Sequence, residues 1–242
     1  MTIARCGIVA AFSGCIAMLA GCACGPCADG AALGAAGQAE SRSARDYAMV
    51  FIMTGPLREP SEAQAQEAMQ GHFANMQRMA ADETLLIAGP LTEPKSDPDH
   101  RGVFVFDADT AEKGLALANT DPAAQMGVFV MRPFTLTTSA PLAELPRLER
   151  EYEARRLADP DIPDEWAGRL YVLASTAFAA DLHEEVRALE GVLIAGRLQD
   201  AGTADRLLLW LDAPNPALAA RLLPEGDWTF HGWYGSPTLE DL

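Results

Sequence analysis

Leu85-Leu-Ile-Ala-Gly-Pro-Leu91 and Val192-Leu-Ile-Ala-Gly-Arg-Leu198 are nearly the same seven residues, 107 positions apart. Each is a short apolar run halted at glycine, the pattern of a buried strand. Outward from the first copy, Tyr47–Met53 is an apolar run ended by Thr54-Gly55-Pro56. Ser61 can cap a helix reaching about Asp82, with Ala65, Met69, Phe73, Met76 and Met79 at helical spacing. Val103–Phe106 gives a third strand, Thr110 opens a helix through Leu117, and Val128–Met131 gives a fourth strand. The order is β-α-β-β-α-β, the split βαβ arrangement of ferredoxin-like folds.

The second copy carries the same surroundings. Leu170–Ala174 reads as a strand, Ala179–Leu189 as a helix, Leu207–Leu211 as a strand, Pro216–Leu223 as a brief helix and Trp228–Tyr234 as the last strand. An internal repeat is the strongest organisational signal here. A four-stranded sheet with helices on one face leaves its other face bare. The expected fold class is therefore α+β, with two ferredoxin-like units forming an intrachain pseudo-dimer of the dimeric α+β barrel type. Leu85–Ala88 should lie over Val192–Ala195. The competing arrangement is two independent units, each dimerising with another chain.

The expected domains are a unit at 46–138, a charged linker at 139–168 and a second unit at 169–238. The linker is punctuated by proline and should hold one short exposed helix near Glu144–Leu157. With 34 acidic against 18 basic side chains, the formal charge is −16. Such a surface repels phosphate backbones, so no nucleic-acid partner is expected. Four histidines and five cysteines leave little for a metal cluster, and no cysteine follows Cys27.

Residues 1–21 read as a secretory signal. Arg5 supplies the positive start, and Ile8–Leu19 an apolar stretch short of a comfortable span. Leu19-Ala-Gly-Cys22 resembles the lipobox of bacterial lipoproteins. That resemblance implies cleavage before Cys22 and acylation of its sulfur and amine. The alternative is an ordinary signal peptide with Cys22 incidental. Ala23 stands where an inner-membrane retention signal would be Asp, so the periplasmic side of the outer membrane is expected. Cys24-Gly-Pro-Cys27 has the letters of a thioredoxin dithiol but lies among Ala, Gly and Ser. It is better read as a local disulfide in a tether spanning 22–45.

The first unit resembles the YCII-related family of small dimeric α+β barrel proteins. The matching features are Gly71-His72-Phe73, the Ala88-Gly89-Pro90-Leu91 turn, Asp121-Pro122, Gly127-Val128 and Arg132-Pro133-Phe134. The likeness is strong over about 46–136 and weak over 169–236. It implies an active-site pair of His72 and Asp121. One characterised branch of the family removes chloride from a hydroxylated aromatic ring, and much of the family has no assigned reaction. The residue types suit the role, since a carboxylate can orient an imidazole and stabilise its charged form. The plainer readings are a core histidine beside Phe73 and a turn-capping Asp121.

In the second unit the 107 offset puts Ala179 opposite His72, and Leu222-Leu-Pro-Glu225 where Asp-Pro would be. That copy is expected to keep the scaffold without the pair. His183 lies about a turn further on, His231 could reach a shared cleft, and His100 reads as a solvated hairpin residue. No phosphate loop, nucleophile elbow, zinc spacing or dinucleotide fingerprint is present, so no cofactor or metal is expected. Two functions follow. One is a cofactor-free acid/base enzyme of lyase or isomerase type, with His72 and Asp121 opening onto a cleft lined partly by the second unit. The other is a non-catalytic binding module of the envelope.

Overall fold

The computed structural model describes residues 43–93, 95, 97–159 and 168–242. The segment read as a signal, Cys22, Cys24, Cys27 and the residues read as a tether through residue 42 lie outside the described residues, as do residues 160–167 of the expected linker.

Strand β1 (Arg45–Thr54) is buried from Tyr47 through Ile52, which is why its apolar run does not alternate. Helix α1 (Glu62–Ala81) starts on a capping box: the Ser61 side chain accepts from the Gln64 N–H while Gln64 reaches back to the Ser61 N–H. Strands β2 (Leu85–Thr92) and β3 (His100–Phe106) follow, then α2 (Ala111–Ala118) capped by Thr110. A one-turn helix, α3 (Pro122–Gln125), precedes β4 (Phe129–Thr138). The expected order is present, with α3 added and β4 longer than its apolar core suggests.

After a 3-10 turn at Leu142–Glu144 comes α4 (Leu145–Ala158). The second unit runs β5 (Arg169–Ala177), α5 (Ala180–Val186), β6 (Val192–Gln199), β7 (Arg206–Leu211), α6 (Pro216–Leu222) and β8 (Thr229–Gly235). A 3-10 turn at Pro237–Asp241 ends the chain's regular structure.

All eight strands close into one antiparallel barrel in the order β1-β3-β2-β8-β5-β7-β6-β4. In this ring each strand stands diametrically opposite its counterpart: β1 faces β5, β2 faces β6, β3 faces β7 and β4 faces β8. The sheets do face each other, as expected. They are not stacked layers, however, because their edges join at two seams, which removes every free strand edge. One seam pairs β2 with β8 through Leu91 and Trp233, the other pairs β4 with β6 from Thr135 to Thr138.

The repeated glycine sits at both seams. A Cβ on Gly89 would lie 2.2 Å from the Tyr234 carbonyl oxygen, and one on Gly196 would lie 2.6 Å from Leu136 Cδ1. Only glycine admits the neighbouring edge so closely. The Ala88–Leu91 segment is accordingly strand, not the turn its Gly-Pro suggests. Its ladder to β3 ends at Pro90 and its ladder to β8 begins at Leu91, so the proline sits where the partner changes.

The lumen is filled by Met49, Phe51, Val105, Leu173, Trp210 and Trp233, among others. Each such side chain stabilises the fold by roughly 1.5–3 kcal/mol relative to exposure. Leu142, Leu145, Leu148 and Leu239 belong to the same cluster. The linker helix is therefore not the wholly exposed element its charges suggest: Leu145 and Leu148 cover the barrel core, while Leu157 and most of the charged side chains point outward. Outside the barrel, separate clusters pack the helices of each unit on its own sheet.

Candidate active site

The long helix α1 buries Ala68, His72, Asn75 and Met79, spaced three or four apart. This stripe is rotated from the one that apolar periodicity alone picks out, and Phe73 is exposed. The reason is that two polar residues in the stripe have partners. Asn75 Nδ2 donates to Thr120 Oγ1 at 3.2 Å, and the Arg78 guanidinium donates to Asn75 Oδ1 at 2.9 Å. His72 Nδ1 lies 2.5 Å from Asp121 Oδ2.

Asp121 is held twice. Its Oδ1 accepts from the Ala123 N–H at 2.9 Å, making it the N-cap of α3, while Oδ2 takes His72. The capping and pairing readings of this residue are both true. Gly71 allows the approach, since a Cβ there would stand 2.6 Å from the Pro122 side chain. Gly71-His72 and Asp121-Pro122 thus interlock, glycine against proline and histidine against aspartate. His72 is 7% exposed and Asp121 0%. The imidazole stacks on Phe104 at 5.8 Å and meets the edge of Phe129 at 5.3 Å.

A cavity of about 490 Å³ opens beside His72 between α1 and the outer face of β1 and β3. Its walls include Ile52, Met69, Phe73, Met76 and Phe104, and His72 itself forms part of them. Asp121 stays behind the histidine and does not reach the wall. The expectation of a cleft shared with the second unit is corrected here: among the described residues, every one that lines the cavity falls between Ile52 and Phe129. The sheets spend their inner faces on the lumen, so the free volume lies under a helix of the first unit.

With Nδ1–H donating to Asp121, the imidazole would present its Nε2 lone pair to the cavity. That is the arrangement of a base whose cationic form is stabilised by a fixed carboxylate. Charge-assisted bonds of this kind are about twice as strong as neutral ones.

The other histidines lie elsewhere. His100 and His231 meet at 5.2 Å between ring centroids, with Phe51 5.3 Å from His100, at one end of the lumen. His100 is half-buried rather than solvated in a hairpin, because it begins β3 and turns inward. His231 belongs to this lumenal pair, not to the cavity. His183, on α5, lies against Phe178 at 5.9 Å in the second unit. Among the described residues no group of three or more His, Cys, Asp or Glu is placed to hold a metal ion.

Burial, and secondarily the neighbouring His100, pushes His231 down to about 4, and burial likewise lowers His100. Arg132, Lys95 and Arg206 act in the same direction, and Asp97 opposes them. A histidine held neutral binds fewer protons folded than unfolded, so this stability is complete above pH 6.5 and is lost as pH falls toward 4. Melting temperature should therefore drop across that window, and His231→Gln should flatten the drop. An equal slope in the variant would contradict the assignment.

Sequence reasoning missed the polar rim of the cavity, made by Thr54, Arg58 and Arg101. No local motif marks them, since they come from the end of β1, the loop after it and the start of β3. Arg58 forms a two-pronged pair with Asp99, at 2.6 and 2.9 Å, which holds that carboxyl below its usual range.

Residues 49–136 match the sequence model of the YCII-related domain. The match includes His72, Asp121 and the cavity, and stops before the second unit. The sequence matches no curated protein. A solved structure described as a provisional chlorite dismutase resembles the chain at 9% identity with a TM-score of 0.47, over 81% of this chain and 96% of that one.

Proposed function

We propose that the chain is an envelope-anchored acid/base enzyme of the lyase or isomerase type, acting on a small molecule. His72 takes and returns a proton at a substrate carbon, and Asp121 orients its ring and stabilises the imidazolium. One observation carries this reading: the 2.5 Å His72–Asp121 contact backs onto a cavity that His72 itself lines. A merely structural pair has no need of an adjoining void walled by phenylalanines and methionines. In this reading the second unit is a degenerate YCII-like copy that preserves the barrel. Ala179 stands only at the cap of α5, which has 7 residues against the 20 of α1.

A metabolite library screened by thermal shift tests the proposal, because a ligand stabilises the state it binds. At least one compound should both raise the melting temperature and be chemically altered by the protein. Compounds that bind and always return unchanged would favour the non-catalytic binding module instead.

The anchor is a separate part of the proposal, motivated by Arg5, the apolar run and Leu19-Ala-Gly-Cys22. Several acyl chains hold a protein durably, at about 0.8 kcal/mol per buried CH₂. Mass spectrometry of the membrane fraction should find a lipid-modified N-terminal Cys22. Cys22→Ser should release the protein from the membrane. Equal soluble, unmodified yields of wild type and variant would defeat the idea.

A further inference from the structure

We infer that the cavity beside His72 binds a small organic carboxylate with an apolar body, and that Arg101 anchors its anionic end. The inference rests on the site proposed above and names its substrate class.

Acids outnumber bases 34 to 18 in this chain, yet among the described residues no acidic side chain lines the cavity. Its charged wall residues are Arg58 and Arg101, and they differ in kind. Arg58 is spent on Asp99 through both of its terminal nitrogens. Arg101 donates only its Nε–H, to Thr54 Oγ1 at 2.7 Å. Among the described residues its two terminal nitrogens have no bonded partner.

Arg101 is also held in place. Thr54 Oγ1, which accepts from it, donates onward to the Asp99 carbonyl at 3.3 Å, and the Thr54 N–H donates to the same carbonyl at 2.8 Å. The β1–β3 register slips between Ile52 and Met53. Across from that slip, Arg101 and Gly102, which simple alternation would place on opposite faces, both line the cavity. Bulges of this kind re-aim side chains beside functional sites.

A guanidinium fixed through Nε leaves a free face of N–H donors suited to a carboxylate. The remaining wall is mostly apolar, with Ile52, Met69, Phe73, Met76, Phe104 and Phe129. Among the described lining residues, one free cation and no second unpaired donor cluster fit a monoanion better than a phosphate monoester, which carries nearly two charges and three acceptor oxygens. The ligand is thereby oriented, with its charge at the Arg101 rim and its apolar body along the wall that contains His72.

The test compares benzoate, its neutral isostere benzamide, and phenyl phosphate, by calorimetry on the detergent-solubilised full chain. Benzoate should bind roughly tenfold more tightly than benzamide, and should shift the His72 ring resonances. Arg101→Gln should erase that preference while leaving benzamide affinity unchanged, and Arg101→Lys should restore part of it. Equal binding of benzoate and benzamide by wild type would overturn the inference without any variant. So would a preference that survives Arg101→Gln, or tighter binding of phenyl phosphate. His72→Ala should keep the benzoate preference. A failure of the acid/base reading therefore appears as turnover that is absent from wild type or survives His72→Ala, with this selectivity intact, and a failure of the anchor as missing selectivity while His72-dependent turnover remains.

Discussion

Replacing His72 with alanine, or Asp121 with asparagine, should each lower turnover of the cavity's substrate by roughly 10²–10⁴-fold. The double variant should be little worse than either single one, because removing one partner already disables the unit. Asparagine is the informative replacement at 121. It caps helices as well as aspartate does, so it can keep the Oδ1 bond to the Ala123 N–H while the charge beside His72 is removed. Its amide can also donate to Nδ1, which would leave the ring in the wrong tautomer for a base facing the cavity. Asp121→Ala removes the cap as well, at a further cost of about 1 kcal/mol in stability. If the pair only braces α1 against α3, the pattern reverses. Asp121→Asn would then lower the melting temperature and leave turnover by folded protein near normal.

Trp233→Ala should destabilise the whole chain by roughly 3–5 kcal/mol. For a domain of this size that corresponds to about 6–20 °C in melting temperature. Trp233 fills the lumen, edge-on to Trp210 at 6.3 Å and tilted against Tyr171 at 5.6 Å, and its backbone pairs with Leu91 across a seam. A barrel whose lumen is one cluster drawn from both units should melt in one transition, so the loss must appear in the first unit too. Scanning calorimetry would show it. A variant with two transitions, one at the wild-type temperature, would mean that the units fold independently. Trp233→Phe should cost much less, since it also removes a buried indole N–H that has no hydrogen-bond partner among the described residues.

The fold was legible because its signals are local and repeated. Leu85–Leu91 and Val192–Leu198 announce the same strand twice, and Ser61, Thr110 and the apolar runs place the elements around them. What sequence could not convey is how the two sheets meet. Gly89 reads as a turn residue from its neighbour Pro90, and only the approach of Tyr234 shows it to be a seam residue. Leu145 and Leu148 of α4 were outnumbered by charges, so nothing local revealed that they cover the barrel.

The pair was legible for a different reason. Spacing alone left His72 and Asp121 open to bland readings, and the family resemblance singled them out. The structure joins them at hydrogen-bond distance, through a contact between residues 49 positions apart. The placement of the cavity was not legible, because it depends on which sheet face each unit gives to the lumen. Arg101 was missed altogether. Its significance comes from what Arg58, Asp99 and Thr54 do around it, and those contacts span more than forty residues.

Proton abstraction by His72 is the central claim, and solvent isotope exchange tests it without the full reaction being known. A ligand found to occupy the cavity would be incubated with the protein in D₂O and followed by proton NMR. The account predicts deuterium incorporation at one carbon-bound position with wild type, abolished by His72→Ala and strongly slowed by Asp121→Asn. Exchange that persists unchanged in His72→Ala, or a bound ligand that never exchanges with wild type, would contradict it.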